Sequence, residues 1–366
     1  MSSNGQHGDA ALGAYQAVAD EWIDNLRRIS RLPALWQRAQ RVKKGATPSE
    51  VVYEQDRLKV LHYPGTGRAK HRTPLVFVFA LVNRPYILDL MPDRSVVRQF
   101  VDAGFDTYLI DWGAPTHADR HLTLETYVNG YIENVVDYLR ERCGVSQVSV
   151  LGYCMGGTMS AMYTALHPKK VRNLILLAAG IDFSTRAGLL NLWADEENFD
   201  VDAFIDAYGN CPAEFLQGSF MMLKPVANLV DKPIGLFENI DNDDFLDDYF
   251  TMETWLNDNI AVPGEVFREF VRKLYQQNQL VRNEMTVGRH IVNLKRITCP
   301  VLNLMAERDD LVPCAQSEPF NDLVGSNDRR SIKLSAGHIG MAVGSRAQRE
   351  LWPKACAWLA ERSDRA

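Results

Sequence analysis

The chain has little of what marks a nucleic-acid, metal or membrane protein. Its 366 residues carry 40 Lys and Arg against 46 Asp and Glu, a formal net charge of −6. No basic excess exists to offset phosphates, which argues against a nucleic-acid binder. The six cysteines stand apart at positions 143, 154, 211, 299, 314 and 356. None forms a CxxC pair, so no metal site and no cofactor are expected. No apolar run approaches the roughly 20 residues of a membrane span; the longest, Leu174 to Gly180, is strand-sized. The N-terminal MSSNGQHGDAALG lacks the apolar region of a secretory signal. A cytoplasmic chain with reduced thiols is therefore expected. There is no internal repeat and no low-complexity tract.

What is present is a globular composition, 46 % hydrophobic and 23 % charged, with an α/β pattern. Residues 1 to about 13 read as a disordered tail. From Tyr15 to Val42, Trp22, Ile23, Leu26 and Ile29 recur at helical spacing, interrupted near Pro33. These helices either pack on the core or dock a partner. Thr47 to Pro64 predicts two strands with a turn near Gln55 and Asp56. Continuous apolar runs then predict buried strands at Pro74 to Val82, Thr107 to Trp112, Val148 to Tyr153 and Arg172 to Ala179. Two more follow at Pro300 to Ala306 and Ser331 to Leu334. A helix is predicted over Leu124 to Arg140, stopped by Gly144. Such alternation means a mostly parallel sheet flanked by helices. Residues 183–290 are rich in Trp, Phe, Asn and Asp and poor in strand signals. They read as an inserted helical cap, with DNDDF (Asp241 to Phe245) as a loop. The expected organisation is an N-terminal tail with amphipathic helices over 1–45, an α/β core over 46–182 and 291–366, and a cap over 183–290.

The chemistry centres on Gly152-Tyr153-Cys154-Met155-Gly156-Gly157, between a strand and the helical TMSAMYTALH. This pattern is the nucleophile elbow of an α/β hydrolase with Cys in place of Ser. Glycines flank the nucleophile because neighbouring backbone approaches too closely for a Cβ. The following helix aims its N-terminus at the site and favours developing negative charge. The Met155 amide is expected to be one oxyanion donor. The other is expected at the end of the first buried strand, around Leu81 to Asn83, with Val82 as the candidate. Asp309, with Asp310 beside it, and His338, between Gly337 and Gly340, follow the last two strands in the chain order a triad of this fold requires. A lone histidine is by default a surface or core residue. Its place after the final strand favours a catalytic one. His117 and His121 are expected at the surface, and His167 at a helix end. A thioester on Cys154 would keep the energy of an incoming thioester and pass the acyl group to a hydroxyl if water is kept out.

GYCMGGTMS, Ala80 to Val97, IDWGAP (Ile110 to Pro115), FVRKLYQQNQL (Phe270 to Leu280), TPSEVVY and the closing GHIG resemble polyhydroxyalkanoate synthases. The resemblance runs from about residue 45 to the C-terminus and is nearest the shorter synthases of classes III and IV. It implies an acyltransferase of α/β-hydrolase fold in which Cys154 carries the growing chain. It implies His338 as general base, with Asp309 supporting His338 or helping to activate the substrate hydroxyl. The substrate it implies is an (R)-3-hydroxyacyl-coenzyme A, usually 3-hydroxybutyryl, which a few local Arg or Lys residues could hold. It further implies a second synthase subunit, a homodimer, and the surface of a nascent polymer granule. One departure stands out: the family usually has His directly after the catalytic Asp, where this chain has Asp310. A Cys-dependent hydrolase (a thioesterase or a dienelactone-hydrolase-like enzyme) and a catalytically silent granule protein are the competing readings.

Overall fold

A computed structural model describes residue 16 and residues 20–31, 35, 37–65, 67 and 69–365. The expected tail over 1–13, and Pro33, lie outside the described residues.

An eight-stranded sheet forms the frame. Its strands are β1 (Glu50–Gln55), β2 (Leu58–Tyr63), β3 (Leu75–Val78), β4 (Thr107–Asp111), β5 (Val148–Tyr153), β6 (Val171–Leu177), β7 (Val301–Ala306) and β8 (Arg329–Leu334). Their spatial order is β1-β2-β4-β3-β5-β6-β7-β8. The β1–β2 and β2–β4 pairs are antiparallel and the rest parallel. Every residue of β3, β5 and β7 is buried, which is why each reads as an unbroken apolar run: parallel strands are covered on both faces. The predicted turn between β1 and β2 falls at Asp56, whose φ is 52°.

The parallel order brings the carboxyl ends of β3, β5, β6, β7 and β8 to one edge, where ligands bind in open α/β sheets. β3 stops at Val78, four residues before the expected Val82. The carbonyl of Phe79 leaves the ladder and accepts instead from Trp112 Nε1 at 3.0 Å, and Asn83 turns the chain with φ 65°. The predicted Leu124 helix forms and continues to Cys143, with a π-helical stretch over Thr126–Ile132. Gly144 ends it in left-handed conformation, φ 61°.

The chain divides into two compact units. The larger holds residues 44–223 and 258–366, and the smaller groups residues up to 43 with 224–257. The stretch expected as one cap is thus shared between them. In the smaller unit Leu35 is buried with Ile240 and Leu246, and Arg38 bonds Asp243 at 2.5 Å and Asp247 at 2.6 Å. The expected DNDDF loop is instead a helix start: Asn242 accepts from the Phe245 amide, and Asp243 and Asp244 sit in the first turn, where the dipole favours them. Within this unit Trp22, Ile23, Leu26 and Ile29 are exposed, as are Val226, Leu229, Val230 and Ile234. Among the described residues no helix is long and apolar enough to cross a membrane.

Candidate active site

Cys154 sits between β5 and the Met155–Leu166 helix with φ 54° and ψ −126°. A non-glycine residue pays for positive φ in strain, and strain of this kind clusters at functional sites. Close packing enforces the turn. A Cβ on Gly156 would lie 2.2 Å from the Val78 carbonyl oxygen, and one on Gly152 would lie 2.5 Å from Gly157 Cα. The Cys154 amide donates to Leu177 O at 2.9 Å, while its carbonyl accepts from Gly157 and Thr158. The thiol is thereby held at the helix N-terminus, partly accessible.

His338 and Asp309 come to this point on the loops after β8 and β7. His338 Nδ1 and Asp309 Oδ2 are 2.7 Å apart, with the carboxylate side chain fully buried. Asp309 Oδ1 accepts from the amides of Leu311 and Val312, both at 2.9 Å, so the carboxylate cannot swing away. Arg308 ties the two loops through its amide to Ala336 O at 3.0 Å and its guanidinium to Ser335 O at 3.1 Å. Because Nδ1 is engaged by Asp309, Nε2 is the ring nitrogen left for Cys154, which lies near enough to influence the imidazole. Burial opposes the imidazolium, but Asp309 and Cys154 outweigh it and hold the ring's pKa up, to about 10. Asp310 is exposed.

Met155 is the first residue of its helix, so its amide is one of those without an intrahelical acceptor. Val82 lies on the wall of the same cavity as Cys154 and Met155. That cavity has a volume of about 400 Å³, and its walls are largely apolar, with Phe183, Trp193, Phe215 and Phe270 among them. Its polar contributors are mostly committed: Thr158 donates to Gly180 O and Ser219 to Phe215 O, each at 2.8 Å. His117 and His121 lie in a short exposed helix, and His167 caps the helix that Cys154 begins. Among the described residues no cluster of His, Cys, Asp or Glu is arranged to hold a metal.

Sequence reasoning missed Tyr153. Its ring stacks on that of His338, centroids 5.0 Å apart at 21°, and its hydroxyl donates to His338 O at 3.2 Å. The pattern assigns the residue before the nucleophile no role, and only the return of the His338 loop over β5 gives it one.

An eight-stranded sheet in this order, with a strained cysteine after β5 and an acid and a histidine after β7 and β8, defines an α/β hydrolase. Residues 74–345 match the family described as alpha/beta hydrolase fold. The solved monoacylglycerol lipase of Paleococcus ferrophilus shares that fold, with TM-score 0.50 and 14 % identity over 82 % of this chain and 99 % of its own. Residues 41–100 match the N-terminus of poly-beta-hydroxybutyrate polymerase, PhaC. The poly(3-hydroxyalkanoate) polymerase subunit PhaC of Haloferax mediterranei is 47 % identical over 94 % of this chain and 70 % of its own length. That of Allochromatium vinosum is 40 % identical over 94 % and 97 %. The chain belongs to the poly(3-hydroxyalkanoate) polymerase PhaC family.

Proposed function

We propose that this enzyme polymerises (R)-3-hydroxyacyl-coenzyme A, of the 3-hydroxybutyryl type, on Cys154. The observation that carries the reading is a thiol at a strained elbow, near a histidine whose Nδ1 is fixed by a buried carboxylate. In loading, the Cys154 sulfur attacks the thioester carbonyl with its proton held on His338 Nε2. The amides of Met155 and Val82 receive the oxyanion. Coenzyme A leaves as a thiol with the proton returned by His338. In extension, His338 takes the proton of the 3-hydroxyl of the next hydroxyacyl-coenzyme A. That oxygen attacks the Cys154 thioester, forming an ester bond, and the cysteine sulfur departs with the proton. The lengthened chain, now a coenzyme A thioester, returns to Cys154 by the loading step. Asp309 keeps the proton on Nδ1 and stabilises each imidazolium. Thioester exchange conserves the activation of the acyl group, which an ester on Ser would forfeit.

The apolar cavity walls from residues 183–223 and 258–290 keep water from the thioester, which separates transfer from hydrolysis. The exposed apolar side chains of the smaller unit, Trp22 to Ile29 and Val226 to Ile234, form the surface for a second synthase subunit. The working enzyme sits at a polymer granule in the cytoplasm, as a homodimer or with that subunit. The test is purified enzyme with 3-hydroxybutyryl-coenzyme A. Cys154→Ala is expected to abolish both coenzyme A release and polymer, while alanine at Cys143, Cys211, Cys299, Cys314 or Cys356 leaves substantial activity. Polymer made by Cys154→Ala would refute the assignment. Free 3-hydroxybutyrate as sole product would make the enzyme a thioesterase.

A further inference from the structure

Tyr275 stands on the cavity wall that holds Cys154. Its phenol is close enough to both Cys154 and Asp309 to feel their charges, which together with burial push its pKa well up. It stays protonated at neutral pH and can donate a hydrogen bond. Among the described residues its hydroxyl has no hydrogen-bond partner, unlike the hydroxyls of Thr158 and Ser219 on the same wall. A phenol on the wall that holds Cys154, with its donor unused and facing the cavity, is placed to meet a ligand acceptor.

The ring's position is fixed. Phe183 meets it edge-on at 4.7 Å between centroids, and Phe270 stands at 6.2 Å. The backbone beneath is π-helical over Val271–Gln276. Two residues beyond its end, Asn278 takes a left-handed φ of 47°. The Asn278 side chain clamps the segment to the loop after β6, accepting from the Phe183 amide at 2.9 Å and donating to Asp182 at 2.8 Å. The phenol therefore cannot retreat from the site.

A 3-hydroxyacyl group on Cys154 presents two oxygens, the thioester oxygen and the oxygen on C3, and a growing chain adds an ester carbonyl beyond C3. The thioester oxygen belongs to the backbone amides. The oxygen on C3 and the ester carbonyl beyond it lie farther down the largely apolar cavity, where few donors are unused. We infer that Tyr275 is a substrate-binding residue whose hydroxyl donates to the C3 oxygen of the acyl unit on Cys154, so selecting 3-oxygenated thioesters over plain fatty acyl thioesters. This rests on the reading of Cys154 as the acyl carrier. Losing a donor built for a substrate oxygen penalises only substrates that carry the oxygen, since the site otherwise leaves a polar group unpaired.

The experiment is single-turnover acylation of wild type and Tyr275→Phe, followed by coenzyme A release and mass of the acyl-enzyme, with (R)-3-hydroxybutyryl-coenzyme A and butyryl-coenzyme A. Phenylalanine keeps the ring contacts with Phe183 and Phe270. The expected result is a ~10- to 100-fold slower acylation by the hydroxyacyl substrate and an unchanged or faster one by butyryl-coenzyme A. Equal losses with both substrates, or none with either, would overturn the inference. Acylation of wild type anywhere but Cys154 would overturn the carrier assignment first, and this inference with it.

Discussion

At the residue scale the two adjacent carboxylates are sharply unequal. Asp309 is fixed by two backbone amides and the His338 ring, while Asp310 is exposed. Asparagine at 309 puts an amide against Nδ1, favours the wrong tautomer and is expected to slow polymerisation by as much as ~10⁴-fold. Asparagine at 310 removes an exposed charge and is expected to cost about tenfold or less. Steady-state coenzyme A release from the two variants gives the ranking, and the reverse order would assign the acid to 310. Their difference was legible in the sequence only through the family pattern, since neighbouring side chains in an extended segment point apart but neither spacing nor charge says which one faces His338. Cys154 and His338 were easier, because each is punctuated by glycines that the fold needs. Tyr153 was not legible, because its partner is 185 positions away.

At the element scale the turn from β5 into its helix is held by contact rather than by propensity. Gly156→Ala would place a methyl 2.2 Å from Val78 O and 2.4 Å from Phe79 O, so the helix start or the β3 loop must move. The amides of Met155 and Val82, proposed to receive the oxyanion, would then separate. We expect acylation to fall by ~100-fold or more with the circular dichroism spectrum retained; wild-type rates would mean that the turn tolerates the side chain. The strands themselves were legible as apolar runs, but the end of β3 was not. Its sequence stays apolar to Val82, and it is the carbonyl of Phe79, captured by Trp112, that takes the chain out of the sheet. On β2, His62 Nε2 meets Asp106 at 2.8 Å and Nδ1 meets Glu50 at 3.0 Å. The Asp106 bond, opposed by burial and aided by Glu50, holds the His62 pKa above its usual value. A proton bound more tightly in the folded chain stabilises it fully below the unfolded value of about 6.5, and the gain is lost as pH rises past the folded value. The unfolding midpoint of His62→Gln is therefore expected to lie ~1–2 °C below wild type near pH 6 and to approach it by pH 9. A gap that widens with pH would reverse the sign assigned to His62.

At the scale of the whole molecule, residues 183–290 serve two bodies. Composition marked the stretch as helical and separate from the sheet, but could not say that 224–257 would pack with residues near Leu35. That pairing rests on apolar side chains more than 200 positions apart, which leave no periodic trace. If residues 183–223 and 258–290 exclude water, enlarging the wall with Phe215→Ala should raise free 3-hydroxybutyrate relative to polymer. An unchanged ratio in a variant that still folds would remove that role. If the apolar surface of the smaller unit is for a second subunit, the isolated chain should be weakly active and gain strongly on co-expression with a class III or IV partner. Full activity alone would count against it.

The cavity's size bears on the product. A volume of about 400 Å³ is small beside a long polymer chain, most of which must lie outside it. Such a chamber is no ruler: every chain past the first few additions looks the same to the enzyme. Growth and release then compete with constant odds at each addition, and the product should be a broad, geometric spread of lengths whose mean follows substrate supply.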